Sequence, residues 1–268
     1  MSSKQIEAVT YSRHRQQNWN KPKDYSWTAS NVVCTVSANE IFIACMSMAV
    51  GFMKSADGYM LTGIIGVGSN RNLMLARDGS WAGKYIPQCY MSYPFLLARN
   101  ENADIVLCVD EASGLVKDGD GGHNFFAEEG QPAPEVAEIF SILLEQDKQR
   151  MTTQSLCALF EKYELLQPWK IQIKNCEEIR EFEGLFNINE KKLNALDTEA
   201  LAEMHKSGAL LIAHAQLLSM QHLATLGKDA EARIARDSSS SKPPTPAAMQ
   251  DFDDGSGIIS FDKLFGAY

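Results

Sequence analysis

Ala49-Val50-Gly51-Phe52-Met53-Lys54-Ser55-Ala56-Asp57-Gly58-Tyr59-Met60-Leu61-Thr62-Gly63-Ile64-Ile65 is the stretch on which the fold class turns. Two apolar runs flank Asp57-Gly58, a dipeptide that tolerates the positive φ angles of a tight hairpin turn. The spacing predicts an antiparallel hairpin joining 49–54 to 59–67. Upstream, Tyr25-Ser26-Trp27-Thr28 and Asn31-Val32-Val33-Cys34-Thr35-Val36 are aromatic and β-branched, which reads as strand. Between them and the hairpin, Glu40 to Met53 can begin as a buried helix with Ser37 at its N-cap. Downstream, Asn72–Ala76 and Ile105–Val109 are further strand candidates, with Asp78-Gly79 as a second tight turn.

The second half changes period. Pro134-Glu135 opens a helix in which Val136, Ile139, Phe140, Leu143 and Leu144 recur at helical spacing. Thr152 or Thr153 is expected to cap a second helix carrying Leu156, Leu159, Phe160 and Tyr163. Trp169–Ile173 and Gly184–Asn189 read as extended, followed by Glu190–Leu196. Asp197 caps a long amphipathic segment to about Leu226, interrupted by Gly208. Strands first and helices after favour an α+β fold, a mainly antiparallel sheet covered by helices, over βαβ alternation.

The expected organisation is a basic arm over 1–24, an α+β domain over 25–228, a flexible linker over 229–256 and an apolar peptide over 257–268. The arm carries Lys4, Arg13, Arg15, Lys21 and Lys23 against Glu7 and Asp24. The linker contains Ser238–Ser241 and Lys242-Pro243-Pro244-Thr245-Pro246, a composition unable to support a packed core. Beyond it, Gly257-Ile258-Ile259-Ser260-Phe261-Asp262-Lys263-Leu264-Phe265 is apolar again. Ile258, Phe261, Leu264 and Phe265 are the side chains expected to anchor this peptide on a protein partner or a second copy of the chain.

The 268 residues carry a formal net charge of -9, which disfavours a partner recognised by phosphate neutralisation. No nucleic-acid partner is expected. The longest apolar stretch, Ile41 to Met53, falls short of the roughly 20 residues a membrane helix needs, so no membrane insertion is expected. The polar first 24 residues lack an apolar leader, which points to a cytoplasmic protein; surface association would then need non-classical export. Six cysteines without a CxxC pair favour reduced, buried thiols.

Signatures for catalysis are sparse. GxSxG, GxxxxGK[ST] and HExxH do not occur, and none of the five histidines has an acid two places on. Asp118-Gly119-Asp120-Gly121-Gly122 resembles the start of a calcium loop but has no Glu at the twelfth position, and reads as a surface turn. No metal and no cofactor is expected. Asp110 and Glu111, at the end of an apolar strand, and His214 on the last helix are the candidates for acid–base chemistry. The aromatic cluster of Trp81, Tyr85, Tyr90, Tyr93 and Phe95 offers rings to a peptide or glycan, or packs sheet against helix.

Trp81-Ala82-Gly83-Lys84-Tyr85-Ile86-Pro87 followed by Tyr93-Pro94-Phe95-Leu96-Leu97 resembles the signature of the bacterial SapC family, the surface-layer-associated group. Further segments fit in order: Leu107–Glu111, Asn124-Phe125-Phe126 with Gly130, Thr153–Leu166, Gly184-Leu185-Phe186 with Glu190–Leu193, and His214-Ala215 with Leu218-Ser219. The resemblance spans about 31–227. It departs at Tyr90-Met91-Ser92, where the family usually has basic residues, and at Met48–Phe52, where it has a proline-containing stretch. What the resemblance implies is association with a cell-surface layer and gene neighbourhoods holding halogenase-like and cupin-like oxidative enzymes. It supplies no catalytic residues. The reading these features favour is a non-catalytic interaction or assembly protein with a tethered docking peptide, rather than an enzyme. The alternatives are an accessory or catalytic component of an oxidative system using Asp110, Glu111 and His214, and a peptide- or glycan-binding module using Trp81, Tyr85 and Tyr93.

Overall fold

In the computed structural model the described residues are 5–66, 71–119, 121–127, 130–174, 179–224 and 226, with backbone alone at 172–174 and 179–182. Residues Met1–Glu231 make one compact unit. The expected linker and the peptide at 257–268 lie outside the described residues.

The Asp57-Gly58 hairpin forms as its spacing requires. Strand β4 (Ala49–Ser55) pairs antiparallel with β5 (Gly58–Ile64) in a register running from Ala49↔Ile64 to Ser55↔Gly58. This hairpin is the centre of a five-stranded sheet ordered β10-β13-β4-β5-β3, with β3 at Val33–Thr35, β10 at Leu166–Pro168 and β13 at Leu185–Ile188. Gly51 is required where β4 passes under Trp169, because a Cβ there would meet the indole at 2.9 Å and the Phe186 carbonyl oxygen at 3.1 Å.

A three-stranded sheet, β1-β7-β6, is built from Ile6–Ala8, Ile105–Asp110 and Phe95–Arg99. A third sheet places β2 (Gln17–Trp19) between β8 (Val116–Asp118) and β9 (His123–Asn124). The remaining pair is β11 (Ile171–Lys174) with β12 (Ile179–Phe182). All these pairings are antiparallel. The short helix α1 (Tyr11–His14) links β1 to β2. Strands dominate the first half and helices the second, which is the α+β arrangement.

One helix ties the sheets together. α3 runs unbroken from Pro134 to Lys162, about 44 Å at 1.5 Å per residue. Val136 and Leu143 on its first half pack with Trp19, Phe95, Val109 and Phe125, while Cys157 and Phe160 on its second half enter the main core with Phe52, Leu61 and Ile188. α4 (Glu190–Asn194), α5 (Thr198–Ser207) and α6 (Ala209–Ser219) follow. Asp197 caps α5 by accepting from the Ala200 N–H at 2.8 Å, and Gly208, at φ 86°, turns the chain into α6.

The structure departs from the sequence reading in four places. Thr152 and Thr153 do not start a helix. They lie inside the continuous α3, where their hydroxyls bond back to the Lys148 and Gln149 carbonyls at 3.0 and 2.7 Å instead of capping, and Thr153 also accepts the Ala38 N–H at 2.8 Å. Tyr25–Thr28 is not a strand, because Asp24 accepts the Ser26 N–H at 2.8 Å and turns the chain into a single 3-10 turn. At 72–76 only the isolated bridges Gly66↔Asn72 and Leu75↔Trp81 form among the described residues. Residues 5–24 are not a loose arm: β1 pairs with β7, β2 is a central strand, and Trp19 and His14 are buried.

Candidate functional site

The aromatic cluster forms a belt held by one buried carboxylate. Glu40, 3% exposed, sits where a 3-10 turn (Ala38–Glu40) meets helix α2 (Ile41–Cys45). Its Oε1 accepts the Ser37 N–H at 2.8 Å, the reach-back half of a capping box. Its Oε2 accepts the Gln88 N–H at 3.1 Å and the Tyr85 hydroxyl. Trp81 donates its indole N–H to the Tyr85 carbonyl at 2.7 Å, and α3 reaches the same loop through Gln146 Nε2 to the Gln88 carbonyl at 3.1 Å. Two of the three donors on this carboxylate, from Tyr85 and Gln88, fix the loop 81–90 onto the main core.

The rings continue in a chain of contacts. Tyr25 and Tyr90 each meet Trp81 edge-on, Trp27 meets Tyr90 edge-on, and Tyr93 stacks on Trp27 with centroids 3.8 Å apart. Tyr90 is buried and its hydroxyl accepts from Asn31 Nδ2 at 3.2 Å. Trp81, Tyr85 and Tyr93 are half-buried. Burial, reinforced for Tyr85 by the Glu40 carboxylate, raises the Tyr85 and Tyr90 phenols above their ordinary range.

Tyr93 connects this belt to the first pair of candidate carboxylates. Asp110, buried at the end of β7, accepts the Gln5 and Ala112 N–H groups, each at 3.2 Å, and Tyr93 lies near enough to feel the same carboxylate. Burial and that carboxylate raise the Tyr93 phenol. Glu111 lies one residue on, at the start of a 3-10 turn. Arg13 clamps it through Nε to Oε1 at 2.7 Å and a second nitrogen to Oε2 at 2.8 Å, and Gln5 Nε2 adds a bond at 3.2 Å. The Arg13 hydrogen bonds pull the Glu111 carboxyl below its ordinary range.

His14 Nε2 is 3.3 Å from Glu111 Oε1 but off the hydrogen-bond direction, while Nδ1 faces the Thr10 backbone at 3.3 Å. The ring is fully buried against Phe125. With the imidazole enclosed, this histidine–carboxylate pair fastens residues 5–14 to the end of β7.

Asp110 and Tyr93 are thus brought together, and Glu111 stands beside them in an ion pair. His214 is elsewhere: it is exposed on α6, its Nδ1 is 2.8 Å from the Leu210 carbonyl, and no hydrogen bond or ion pair joins it to Asp110 or Glu111. Ile258, Phe261, Leu264 and Phe265 lie outside the described residues. Among the described residues, no three of His, Cys, Asp and Glu gather as metal ligands would. An open depression of about 550 Å3 between the β4–β5 turn and α3, lined by Asp57, Tyr59, Lys148, Met151 and Glu161, contains none of the candidates. Glu40, Trp27, Arg13 and His14 organise the cluster and were not singled out from the sequence. Of these only Glu40 left a signal, the Ser37-x-x-Glu40 spacing of a capping box.

A model of the SapC family matches residues 9–226, a span that takes in most of the cluster and both carboxylates of the β7 end. The chain belongs to the SapC family. The matched span begins at Val9, so α1 and β2 are part of the SapC body, in agreement with the burial of His14 and Trp19. No curated protein and no solved structure matches the chain. Among the described residues no helix is long and apolar enough to cross a membrane.

Proposed function

We propose that this SapC-family chain is a non-catalytic interaction or assembly protein whose tail peptide docks on a protein partner. The observation that carries the reading is how the candidate carboxylates are used. Asp110 holds two backbone N–H groups and Glu111 holds an arginine, while Glu40, found from the structure, holds a loop. Each is engaged in fastening the body, leaving the apolar segment with Ile258, Phe261, Leu264 and Phe265 as the element suited to reach outward. A tether over 229–256 gives it a reach on the order of 30 Å by flexible-chain scaling.

Deleting 250–268 is expected to leave the thermal midpoint of the body unchanged and to lower the assembly mass in light scattering. An unaltered mass removes the reading. A second reading, capture of a peptide or glycan on the aromatic belt, is favoured by the half-exposed rings of Trp81, Tyr85 and Tyr93. It predicts quenching of tryptophan fluorescence by the captured ligand and loss of that quenching in Trp81→Ala.

A further inference from the structure

We propose that the outward faces of α2 and α6 form a contact between two copies of this chain, separate from the tail peptide on which the functional reading rests. The two helices pack against each other, and His222 Nε2 contacts the Cys45 carbonyl at 2.9 Å where α2 ends. Ile41 and Ala44 of α2, and Ile212, Ala213 and Ala215 of α6, point into the core. The opposite sides are largely apolar and face solvent, with the exposed His214 between Leu211 and Leu218. Phe42 is 54% exposed, Ile43 48%, Met46 73%, Leu211 51% and Leu218 68%. At roughly 100 Å2 for each half-exposed large side chain, these five present about 500 Å2, a patch of the size that marks an interaction site. That is more than half of the ~800 Å2 per partner in an ordinary stable interface.

Charge selects the occupant. No Asp, Glu, Lys or Arg occurs from Ile41 to Met53, nor from Ser207 to Gly227, in a chain whose formal net charge is -9. Two copies therefore repel each other in general, and this charge-free face is the surface on which the repulsion is least. A two-fold pairing sets a patch against itself, so an apolar patch without charge is self-complementary with no matching of sign. A strongly charged partner would find no Asp, Glu, Lys or Arg on these two segments to pair with.

The test is sedimentation velocity of the full chain over a range of concentrations. The double variant Met46→Glu/Leu218→Glu is expected to raise the dissociation constant of the pair at least tenfold and to halve the mass at a fixed concentration. Ile142→Glu, on the exposed side of α3, is the control and leaves the mass as it was. Leu218→Ser is the milder variant should the double one fail to fold, judged by far-UV circular dichroism. A full chain that is monomeric throughout overturns the proposal, as does a mass insensitive to the face variants or one lowered equally by Ile142→Glu. The tail reading fails separately, through the deletion of 250–268, so a chain can lose either contact and keep the other.

Discussion

Glu40 and Phe42 stand two residues apart and invert the usual distribution of polar and apolar groups. The carboxylate is 3% exposed and the phenyl ring 54% exposed. Around Glu40, two backbone N–H groups and a phenol converge, so the charge is buried with its hydrogen bonds made. Around Phe42, the neighbouring outward residues Ile43 and Met46 are apolar and equally uncovered. The difference separates two kinds of work. A buried, satisfied carboxylate specifies how one segment docks on another within the chain. An uncovered apolar face gains nothing for its own chain, and patches of that kind mark interaction sites in proteins as a class.

The comparison breaks most visibly at Glu40. Glu40→Ala leaves the Ser37 and Gln88 N–H groups and the Tyr85 hydroxyl without their acceptor. At ~1–3 kcal/mol for each unsatisfied buried group, partly relieved by entering water, a loss of about 3 kcal/mol is expected in urea unfolding. Tyr85→Phe removes one of the three bonds and is expected to cost about 1 kcal/mol in the same measurement. A Glu40→Ala protein as stable as the parent would show that the carboxylate does not hold the loop.

Alkaline pH should come next in size. Burial pushes the Cys157 thiol up to about 12 and raises the Tyr85 and Tyr90 phenols. Acids whose folded pKa is raised contribute stability that is complete below the unfolded pKa and is lost as pH rises through the folded one. With ordinary values of about 8.5 for a thiol and 10 for a phenol, the urea midpoint is expected to fall steadily above pH 8.5. Cys157→Ala should flatten the first part of that decline, and a profile unchanged by the substitution would refute the assignment.

The smallest effect on stability belongs to the other side of the comparison. Phe42→Ser, at an exposed position, should shift the urea midpoint of the dilute chain by no more than the equivalent of ~0.5 kcal/mol. A loss as large as that of Glu40→Ala would mean that the α2 face is part of the core after all.

Much of the fold was legible because local chemistry and tertiary packing agree there. Asp57-Gly58 allows the turn that the paired apolar runs on either side require, and the hairpin forms in that register. Asp197 and Gly208 cap and break the last helices where side-chain and backbone geometry leave few alternatives. Thr152 and Thr153 pointed to a second helix start that does not exist, because they lie inside α3. A threonine hydroxyl can cap a new helix or bond back along an existing one, and only the packing of both halves of α3 on two sheets selects the second.

The candidate site was legible in its residue types more than in its connections. The Trp81–Phe95 segment was visible as an aromatic cluster, and Asp110 as a strand-end carboxylate. That Tyr93 lies near Asp110, that Glu40 lies under Tyr85, and that Arg13 and His14 close on Glu111 depend on residues 17 to 98 positions apart. No periodicity carries such pairings. Residues 5–24 were unreadable as part of the body for the same reason: β1 is three residues long, and its partner β7 lies about a hundred residues downstream.

The chain by itself determined the hairpin, the order of strands before helices, the breaks around α5 and the charge-free composition of α2 and α6. Those properties follow from local backbone preferences and from residue type, which act over a few positions. Only the tertiary structure decided which carboxylates are consumed by internal bonds and which apolar side chains remain uncovered. Burial is a property of what arrives from elsewhere in the chain, and in this protein it placed a glutamate inside and a phenylalanine outside on one short stretch.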